Sequence, residues 1–332
     1  MKTFIFVIIV TFLYSGAFAL ELTDDLRAFA SNMETCYGVP KDKVEAWLQD
    51  ASFDDTAIRR MDSQTESKKW GFYKPLFVTD KKALGGFEFY LDYEETLKKA
   101  EEQYGVSRYV ITAILGVETD YGRYKLKHRA LDTLATLAFN YPRRAAFFSR
   151  ELTSLFILSD EENSDPSGYM SSYAGAVGLP QFMPSNIKRY GVDFDGDGKI
   201  DLVDSPEDAI ASVARYLRAH GYKMNRPTAV DAGVEGKEWK KYAGRGMRPK
   251  FTVKELSEAG VMPSLNVRQN RKASFYELKL SDNESEYWLF FDNFYAITRY
   301  NPSIRYALAV TLLSFEIRSL VQDAASCGFD VQ

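Results

Sequence analysis

The chain has 332 residues, 45% of them hydrophobic and 14% aromatic, so it can bury a sizeable core. Its formal net charge is −4, with charged residues making up 27%. Because a nucleic-acid-binding protein usually carries an excess of basic residues, this balance argues against that class.

The first 19 residues differ in kind from the rest. Lys2 precedes an apolar run over residues 4–13, and Ala17-Phe18-Ala19 has the small-x-small form that signal peptidase accepts. We predict that residues 1–19 are a cleaved signal peptide; an uncleaved membrane anchor is the alternative. No cysteine follows the run closely, so we expect no lipid attachment. No later segment reaches the ~18 consecutive apolar residues of a membrane-spanning helix.

Residues 20–105 form a predicted N-terminal α region, with charged helical stretches at 42–48 and 94–103. The two cysteines of the chain, Cys36 and Cys327, lie near opposite ends of the mature sequence. In an exported protein, a disulfide between them would join these ends. Two free thiols are the alternative, because spacing alone does not establish that the two residues meet.

Residues 107–122 are predicted to form a helix, with Ser107 as its N-cap and Gly122 as its C-terminal stop. Its buried stripe is marked at i, i+3 and i+4 by Ile111, Ile114 and Leu115. Position i+7 of this stripe is Glu118. Burial and the negative end of the helix dipole both raise a carboxyl pKa, as a general acid requires near neutral pH. A structural glutamate, held by a hydrogen bond or an ion pair, is the alternative. Asp120 points elsewhere on the helix and is predicted to be a solvated or capping carboxylate.

Residues 171–185 contain glycine and alanine at 174–176 and glycine at 178, which allow close backbone approach. Gln181 in this segment has an amide that can both donate to and accept from sugar hydroxyls and acetamido groups. A tightly packed turn followed by a short helix, without a ligand, is the alternative interpretation.

Residues 193–204 match the EF-hand calcium loop. The carboxylates at positions 1, 3, 5 and 9 are those of Asp193, Asp195, Asp197 and Asp201. Gly198 takes the sharp turn at position 6, Lys199 offers its carbonyl at position 7, and Asp204 replaces the usual glutamate at position 12. One unpaired loop indicates a structural ion and not a calcium sensor; an acidic turn without metal is the alternative. Ser205 and Pro206 then begin the next helix.

Residues 224–290 change in character, with many glycines and prolines and two strand-like runs at 275–280 and 286–291. Residues 291–332 return to helix, with apolar positions at Leu308, Leu312, Phe315 and Leu320. The predicted fold is mainly α (α+β). A helical core formed by residues 106–223 and 291–332 is split by the small β-containing insertion.

Aromatic side chains with polar tips suit pyranose rings, and Tyr216, Tyr300 and Tyr306 lie on predicted helical segments near the motifs. Each could equally be a core or surface residue. Asn301 could bind substrate through its amide or cap the helix that begins near Ser303.

These motifs, in this order, resemble the lytic murein transglycosylase B family of bacterial peptidoglycan-cleaving enzymes. The resemblance extends from about residue 71 to 313. Its most specific pieces are residues 116–122, 139–144, 174–185, 193–204 and 297–301.

The resemblance implies a lysozyme-like helical core in which Glu118 is the only catalytic carboxylate and catalysis needs no cofactor. It implies that Ser172 and Gln181 line the cleft. It places seven further residues at the saccharide site: Tyr73, Arg143, Arg144, Tyr216, Tyr300, Asn301 and Tyr306. It also implies one structural ion, calcium or else sodium, in the loop 193–204.

The expected partner is the glycan strand of peptidoglycan, with cell-wall synthesis or remodelling proteins as further candidates. We expect a periplasmic monomer without a lipid anchor. Two other functions stay open: a muramidase hydrolase, which would need a second carboxylate or an activated water, and a non-catalytic peptidoglycan-binding or calcium-binding structural protein.

Overall fold

The computed structural model of this protein describes residues 22–62 and 69–327. The predicted signal peptide, residues 1–19, lies outside these ranges. The described chain is mainly α, as predicted, with fourteen α-helices and one five-stranded sheet besides a two-stranded ribbon. None of its helices is both long enough and apolar enough to cross a membrane.

Six helices precede the one that carries Glu118, and they match the predicted N-terminal α character. Their bounds are α1 Asp24–Tyr37, α2 Lys41–Asp50, α3 Asp55–Asp62, α4 Trp70–Phe77, α5 Asp80–Asp92 and α6 Glu94–Tyr104. The core helices that follow are α7 Arg108–Thr119, α8 Ala130–Asn140, α9 Ala145–Glu161, α10 Pro184–Tyr190 and α11 Pro206–Ala219. After the sheet come α13 Asp292–Tyr300 and α14 Ile304–Ser326. Helix α14 packs on α4, α5 and α7, which places its first turn beside Glu118.

Helix α7 buries the apolar positions of its predicted stripe, since the exposed fraction of Ile111, Ile114 and Leu115 is 0%, and Glu118 on the same stripe is half-buried. Its ends differ from the prediction. Ser107 occupies the N-cap position but its side chain makes no capping hydrogen bond. The helix ends at Thr119, before Gly122, because Asp120 and Tyr121 already adopt left-handed backbone conformations with φ of 53° and 61°. Glu118 therefore lies in the last turn of α7.

A sheet of five antiparallel strands forms the insertion; in spatial order they are Phe251–Thr252 (β4), Lys272–Lys279 (β6), Ser285–Phe290 (β7), Ala229–Val234 (β3) and Val261–Pro263 (β5). Helix α12 Val253–Glu258 lies between β4 and β5. Strands β6 and β7 are the predicted pair. The ribbon pairs β1 His128–Arg129 with β2 Met170–Ser171. A separate apolar core, with Val253, Phe275 and Leu289 at its centre, holds the insertion together.

The predicted apolar stripe of α14 is partly wrong. Phe315 is 45% exposed, whereas Leu313 and Ile317 are fully buried together with Leu308. The buried face of α14 is the one that packs on α7 and α5. It is rotated about the helix axis relative to the face that Leu312 and Phe315 predict.

The predicted disulfide is absent, because Cys36 and Cys327 are both free and exposed. Cys36 lies on the solvent side of α1, where its thiol donates to Asn32 Oδ1 over 2.9 Å. Cys327 follows the last turn of α14.

Candidate active site

Glu118 is held from across the core by the first turn of α14. Its Oε1 accepts a hydrogen bond of 2.6 Å from the hydroxyl of Tyr306. Ser303 caps α14 by accepting from the Tyr306 N–H over 3.3 Å, which fixes the backbone that carries this tyrosine. A short bond to an ionised acceptor is among the stronger kinds of hydrogen bond, so the carboxyl group is well oriented.

The pKa of Glu118 is raised to about 7. Burial is the main cause, because it disfavours the charged form, and the hydrogen bond from Tyr306 partly opposes it by favouring that form. Neither cause is a second carboxylate. Both the protonated and the ionised forms of Glu118 are therefore populated near neutral pH, which is what a group that first gives and then takes a proton needs.

Three tyrosines surround Glu118. The pKa of the Tyr73 hydroxyl is raised to about 12 by burial and then by the charge of Glu118. The same two causes raise the pKa of Tyr300 and of Tyr306 well above the usual value. The rings of Tyr300 and Tyr306 are stacked with centroids 6.4 Å apart. All three hydroxyls stay protonated at neutral pH, and those of Tyr300 and Tyr306 donate hydrogen bonds.

The glycine-rich segment is fixed beside Glu118 from two sides. Thr119, the next residue along α7, donates to the carbonyl of Leu179 over 3.0 Å. The hydroxyl of Tyr300 donates to the carbonyl of Pro180. The prediction of close backbone approach is confirmed at Gly178, where an added Cβ would lie 2.0 Å from the carbonyl oxygen of Leu202.

Ser172 and Gln181 meet at one turn of this segment, around Ala176. Ser172 Oγ accepts from the N–H of Ala176 over 3.3 Å, and Gln181 Nε2 donates to the carbonyl of the same residue over 3.2 Å. A second bond of 2.9 Å joins Gln181 Nε2 to the Gly178 carbonyl. Both side chains are half-buried, and Gln181 itself has a φ of 51°. Their hydrogen bonds stabilise the turn of residues 172–181, which also contains Leu179, the hydrogen-bond partner of Thr119.

Two tyrosines predicted as sugar platforms have a different role. Tyr216 is 5% exposed, donates to the Arg299 carbonyl and packs edge-on against Tyr300, with centroids 5.0 Å apart. Tyr306 is 2% exposed and directs its hydroxyl at Glu118. Rings this deeply buried have no open face for a sugar, so Tyr216 supports Tyr300 and Tyr306 positions the acid.

The remaining predicted residues lie on the surface. Arg143 forms an ion pair with Asp62 on α3, with 3.3 Å between Nη1 and Oδ1. Arg144 lies over the ring of Phe147 at the start of α9. Asn301 follows Tyr300 directly and is exposed, and Ser303, not Asn301, caps α14. The two arginines have no described contact with Glu118, and their predicted part in saccharide binding stays a prediction.

Three carboxylates of the acidic loop converge. Oxygen atoms of Asp193, Asp195 and Asp197 lie within 4.8 Å of one another. Gly198 makes the predicted turn with a φ of 90°. The carboxylates of Asp201 and Asp204 lie outside this group; Asp201 Oδ1 instead accepts from the N–H of Asp204 over 2.9 Å. An all-oxygen donor set of this kind fits a hard cation.

A buried carboxylate that sequence analysis missed holds both ends of this loop. Asp208, 0% exposed, accepts from the N–H of Phe194 over 2.7 Å and from that of Asp201 over 2.8 Å. No sequence pattern predicts this role, because Asp208 is also an ordinary first-turn acid of α11. Ser205 is the predicted cap of α11, confirmed by its bond from the Asp208 N–H.

Comparison with known proteins agrees with this arrangement. Residues 21–315 match the transglycosylase SLT domain family. The Escherichia coli membrane-bound lytic murein transglycosylase B is 39% identical over 86% of this chain and 80% of its own length. Soluble lytic transglycosylase SltB1 from Pseudomonas aeruginosa has a TM-score of 0.85 and 37% identity, covering 90% of this chain and 99% of that one. The Escherichia coli lytic transglycosylase Slt35, solved in complex with calcium, has a TM-score of 0.80 and 38% identity, covering 90% and 93%.

The chain belongs to the transglycosylase SLT domain family, within which it is similar to the lytic murein transglycosylases B. Its activity is that of a peptidoglycan lytic transglycosylase. The predicted family, fold class and enzyme class are confirmed.

Proposed function

We propose that the enzyme cleaves the β-1,4 bond between N-acetylmuramic acid and N-acetylglucosamine and leaves a 1,6-anhydro end. The observation that carries this proposal is the single acid of the site, Glu118, with a pKa of about 7 and a 2.6 Å hydrogen bond from Tyr306. A relative from Pseudomonas aeruginosa, SltB3, with a TM-score of 0.80 and 26% identity, was solved in complex with NAG-NAM-pentapeptide.

The first step is bond breaking. Protonated Glu118 gives its proton to the glycosidic oxygen, and the bond from this oxygen to C1 of the muramoyl sugar breaks. The electron pair leaves with the oxygen, so an oxocarbenium-like centre remains at C1. The acetamido oxygen of the same sugar stabilises this centre in place of an enzyme nucleophile.

The second step closes the ring. Glu118, now a carboxylate, takes the proton of the C6 hydroxyl, whose oxygen bonds to C1. The acid is thereby restored and no water is consumed. Because the attack is intramolecular, its high effective molarity favours it over attack by water. Ser172, Gln181 and Asn301 orient the acetamido group and sugar hydroxyls, and Tyr73 and Tyr300 line the site.

Product mass tests this chemistry against the hydrolase alternative. Wild-type protein digesting intact peptidoglycan should release muropeptides lighter by one water than hydrolytic products. Products with reducing ends would establish hydrolysis and would require a second carboxylate to activate water.

The pH dependence of activity tests the role of Tyr306. In wild type, kcat/KM should fall as pH rises through about 7, because Glu118 must start protonated. The hydroxyl of Tyr306 lowers the pKa of Glu118, so Tyr306→Phe should move this fall to higher pH. Losing a hydrogen bond to a charged group should also reduce the maximal rate about tenfold to a hundredfold.

Tyr216→Phe is the matched control, since this buried hydroxyl bonds to Arg299 and not to Glu118. Its pH profile should keep the wild-type position. A fall that moves to lower pH in Tyr306→Phe, or moves equally in both variants, would contradict the assignment.

The ion of the acidic loop is calcium, held by Asp193, Asp195 and Asp197, and it takes no part in the chemistry. It stabilises the fold because it neutralises three neighbouring carboxylates. Calcium at about 100 times its dissociation constant adds about 2.7 kcal/mol to the free energy of unfolding. We expect the midpoint of thermal unfolding to rise by about 4 °C.

Differential scanning calorimetry with EDTA, calcium or sodium measures this shift. Asp193→Asn should abolish the calcium effect, whereas the exposed Asp25→Asn on α1 should retain it. An equal shift with sodium would make sodium the resident ion. A calcium shift that survives in Asp193→Asn would place the ion elsewhere.

The enzyme acts outside the cytoplasmic membrane, where peptidoglycan lies, and residues 1–19 direct its export. A fusion of this segment to a reporter protein should place the reporter in the periplasm, and deletion of the segment should keep the enzyme in the cytoplasm.

A further inference from the structure

A cavity of about 700 Å³ lies between the sheet and the first turn of α13, apart from Glu118. The segments that lead into strands β3, β4 and β6 line it, together with Asp292 at the start of α13. Six of its lining residues are cations: Arg226, Arg248, Lys250, Arg268, Arg271 and Lys272. Among the described residues, Asp292 is the one acidic residue that lines it.

None of these six cations has an ion-pair partner within residues 22–62 and 69–327. Other cations of the same insertion do: Lys241 pairs with Glu238, Lys254 with Glu258 and Lys279 with Glu277. The insertion, residues 224–290, contains twelve lysines and arginines against nine aspartates and glutamates, a net charge of +3 in a chain of −4. Unpaired like charges around one cavity repel one another, and an anionic ligand relieves this repulsion.

Aromatic rings lie next to two of the cations that line the cavity. The guanidinium of Arg271 is half-buried and lies 6.0 Å from the ring centroid of Phe291, and Lys250 Nζ lies 4.9 Å from that of Phe251. The positive end of the α13 dipole adds to the field from the same side. Guanidinium groups pair with carboxylates through two parallel hydrogen bonds, which suits a ligand with several carboxylates.

Helix α13 connects this cavity to the active site. Asp292 lines the cavity and Tyr300 contacts the cleft at the other end of the helix. At 1.5 Å per residue, these two ends are about 12 Å apart along the axis. An extended peptide of five residues reaches about 17 Å. A peptide of this length at the Tyr300 end of α13 therefore spans the helix to its Asp292 end, which lines the cavity.

We infer that this basic cavity binds the carboxylates of the peptide stem attached to the muramoyl sugar in the cleft. The inference rests on the proposed function, since that function places the glycan strand beside Glu118. The cavity makes the enzyme prefer stem-bearing strands over bare glycan.

Binding in the inactive Glu118→Gln background tests this preference. Calorimetry measures the dissociation constants of NAG-NAM-pentapeptide and of NAG-NAM without peptide. We expect the stem to tighten binding by about fivefold or more at low salt, and high salt to remove most of this gain. Adding Arg248→Glu and Arg268→Glu should abolish the gain and leave the constant for bare disaccharide unchanged.

The matched control is Lys237→Glu with Lys240→Glu, the same change of charge on exposed residues of the insertion outside the cavity. This control should retain the preference for the stem. The inference would be overturned if Arg248→Glu/Arg268→Glu weakened the binding of both ligands equally. It would also be overturned if the Glu118→Gln protein showed no preference for the stem-bearing ligand, or if that preference survived Arg248→Glu/Arg268→Glu. The inference would also be overturned if inorganic phosphate or anionic phospholipid vesicles bound through the cavity residues and the peptide stem did not.

The turnover of stem-free strands by the active enzyme tests the proposed function separately. It should be unchanged by the cavity variants. Failure of the wild type to release muropeptides from intact peptidoglycan would refute the function, whereas loss of the stem preference alone would refute only the cavity assignment.

Discussion

Glu118→Gln should reduce the turnover of peptidoglycan by about a thousandfold or more, because a glutamine amide neither gives nor takes a proton in the pH range of the reaction. Both steps use the same carboxyl group, whose pKa is raised by burial and which accepts the hydrogen bond of the Tyr306 hydroxyl. The release of soluble muropeptides, followed by mass spectrometry, measures the loss. Affinity for glycan strands should remain, because the amide keeps the shape of the side chain.

Asp120→Asn is the matched control. Asp120 lies two residues further on, and its carboxylate pairs with Lys82 over 2.7 Å instead of facing Tyr306. Asparagine tolerates the left-handed conformation found there. Turnover in this variant should stay within about threefold of wild type, since an ion pair with one exposed partner contributes little. Equal losses in the two variants would refute the assignment of Glu118, and unchanged turnover in Glu118→Gln would refute the mechanism.

Gly178→Ala should destabilise the protein by about 3–5 kcal/mol, for two reasons that add. The φ of Gly178 is 67°, which a residue with a Cβ adopts only under strain. The new methyl group would also lie 2.0 Å from the carbonyl oxygen of Leu202, a backbone atom that cannot move freely. The neighbouring bond of 2.7 Å from the Leu179 N–H to the same oxygen would break as the segments separate.

Gly236→Ala separates the two causes. Its φ of 68° is almost the same, but no atom lies within 4 Å of the added Cβ. We expect this control to lose only about 1–2 kcal/mol. Urea denaturation followed by circular dichroism gives both values. Similar losses in the two variants would mean that the contact with Leu202 contributes nothing.

The sequence was most informative where function depends on neighbours along the chain. The acidic loop has its donors within one turn, so its spacing alone predicts Asp193, Asp195 and Asp197. Glu118 was found because a carboxylate interrupts an apolar stripe with helical period. In both cases the pattern that reveals the residue is local.

The sequence was least informative where function depends on packing between distant elements. Tyr306 lies 188 residues from Glu118, and only the packing of α14 on α7 brings the two together. Composition does not distinguish it from Tyr216, which is equally buried and bonds elsewhere. Strands β4 and β5 have two and three residues, too few for an alternating pattern to appear.

The raised pKa of Glu118 makes the catalytic proton a ligand of the native state. An unfolded chain binds this proton with a pKa near 4.5, and the folded protein binds it with a pKa of about 7. By linkage, the folded state loses about 3 kcal/mol of stability from this group as pH rises from 4.5 through 7. Wild type should therefore lose more stability than Glu118→Gln between pH 5 and pH 8 in urea denaturation, and equal losses would contradict the raised pKa. A fall in pH through this range therefore both protonates the catalytic acid and stabilises the folded state, through the same proton.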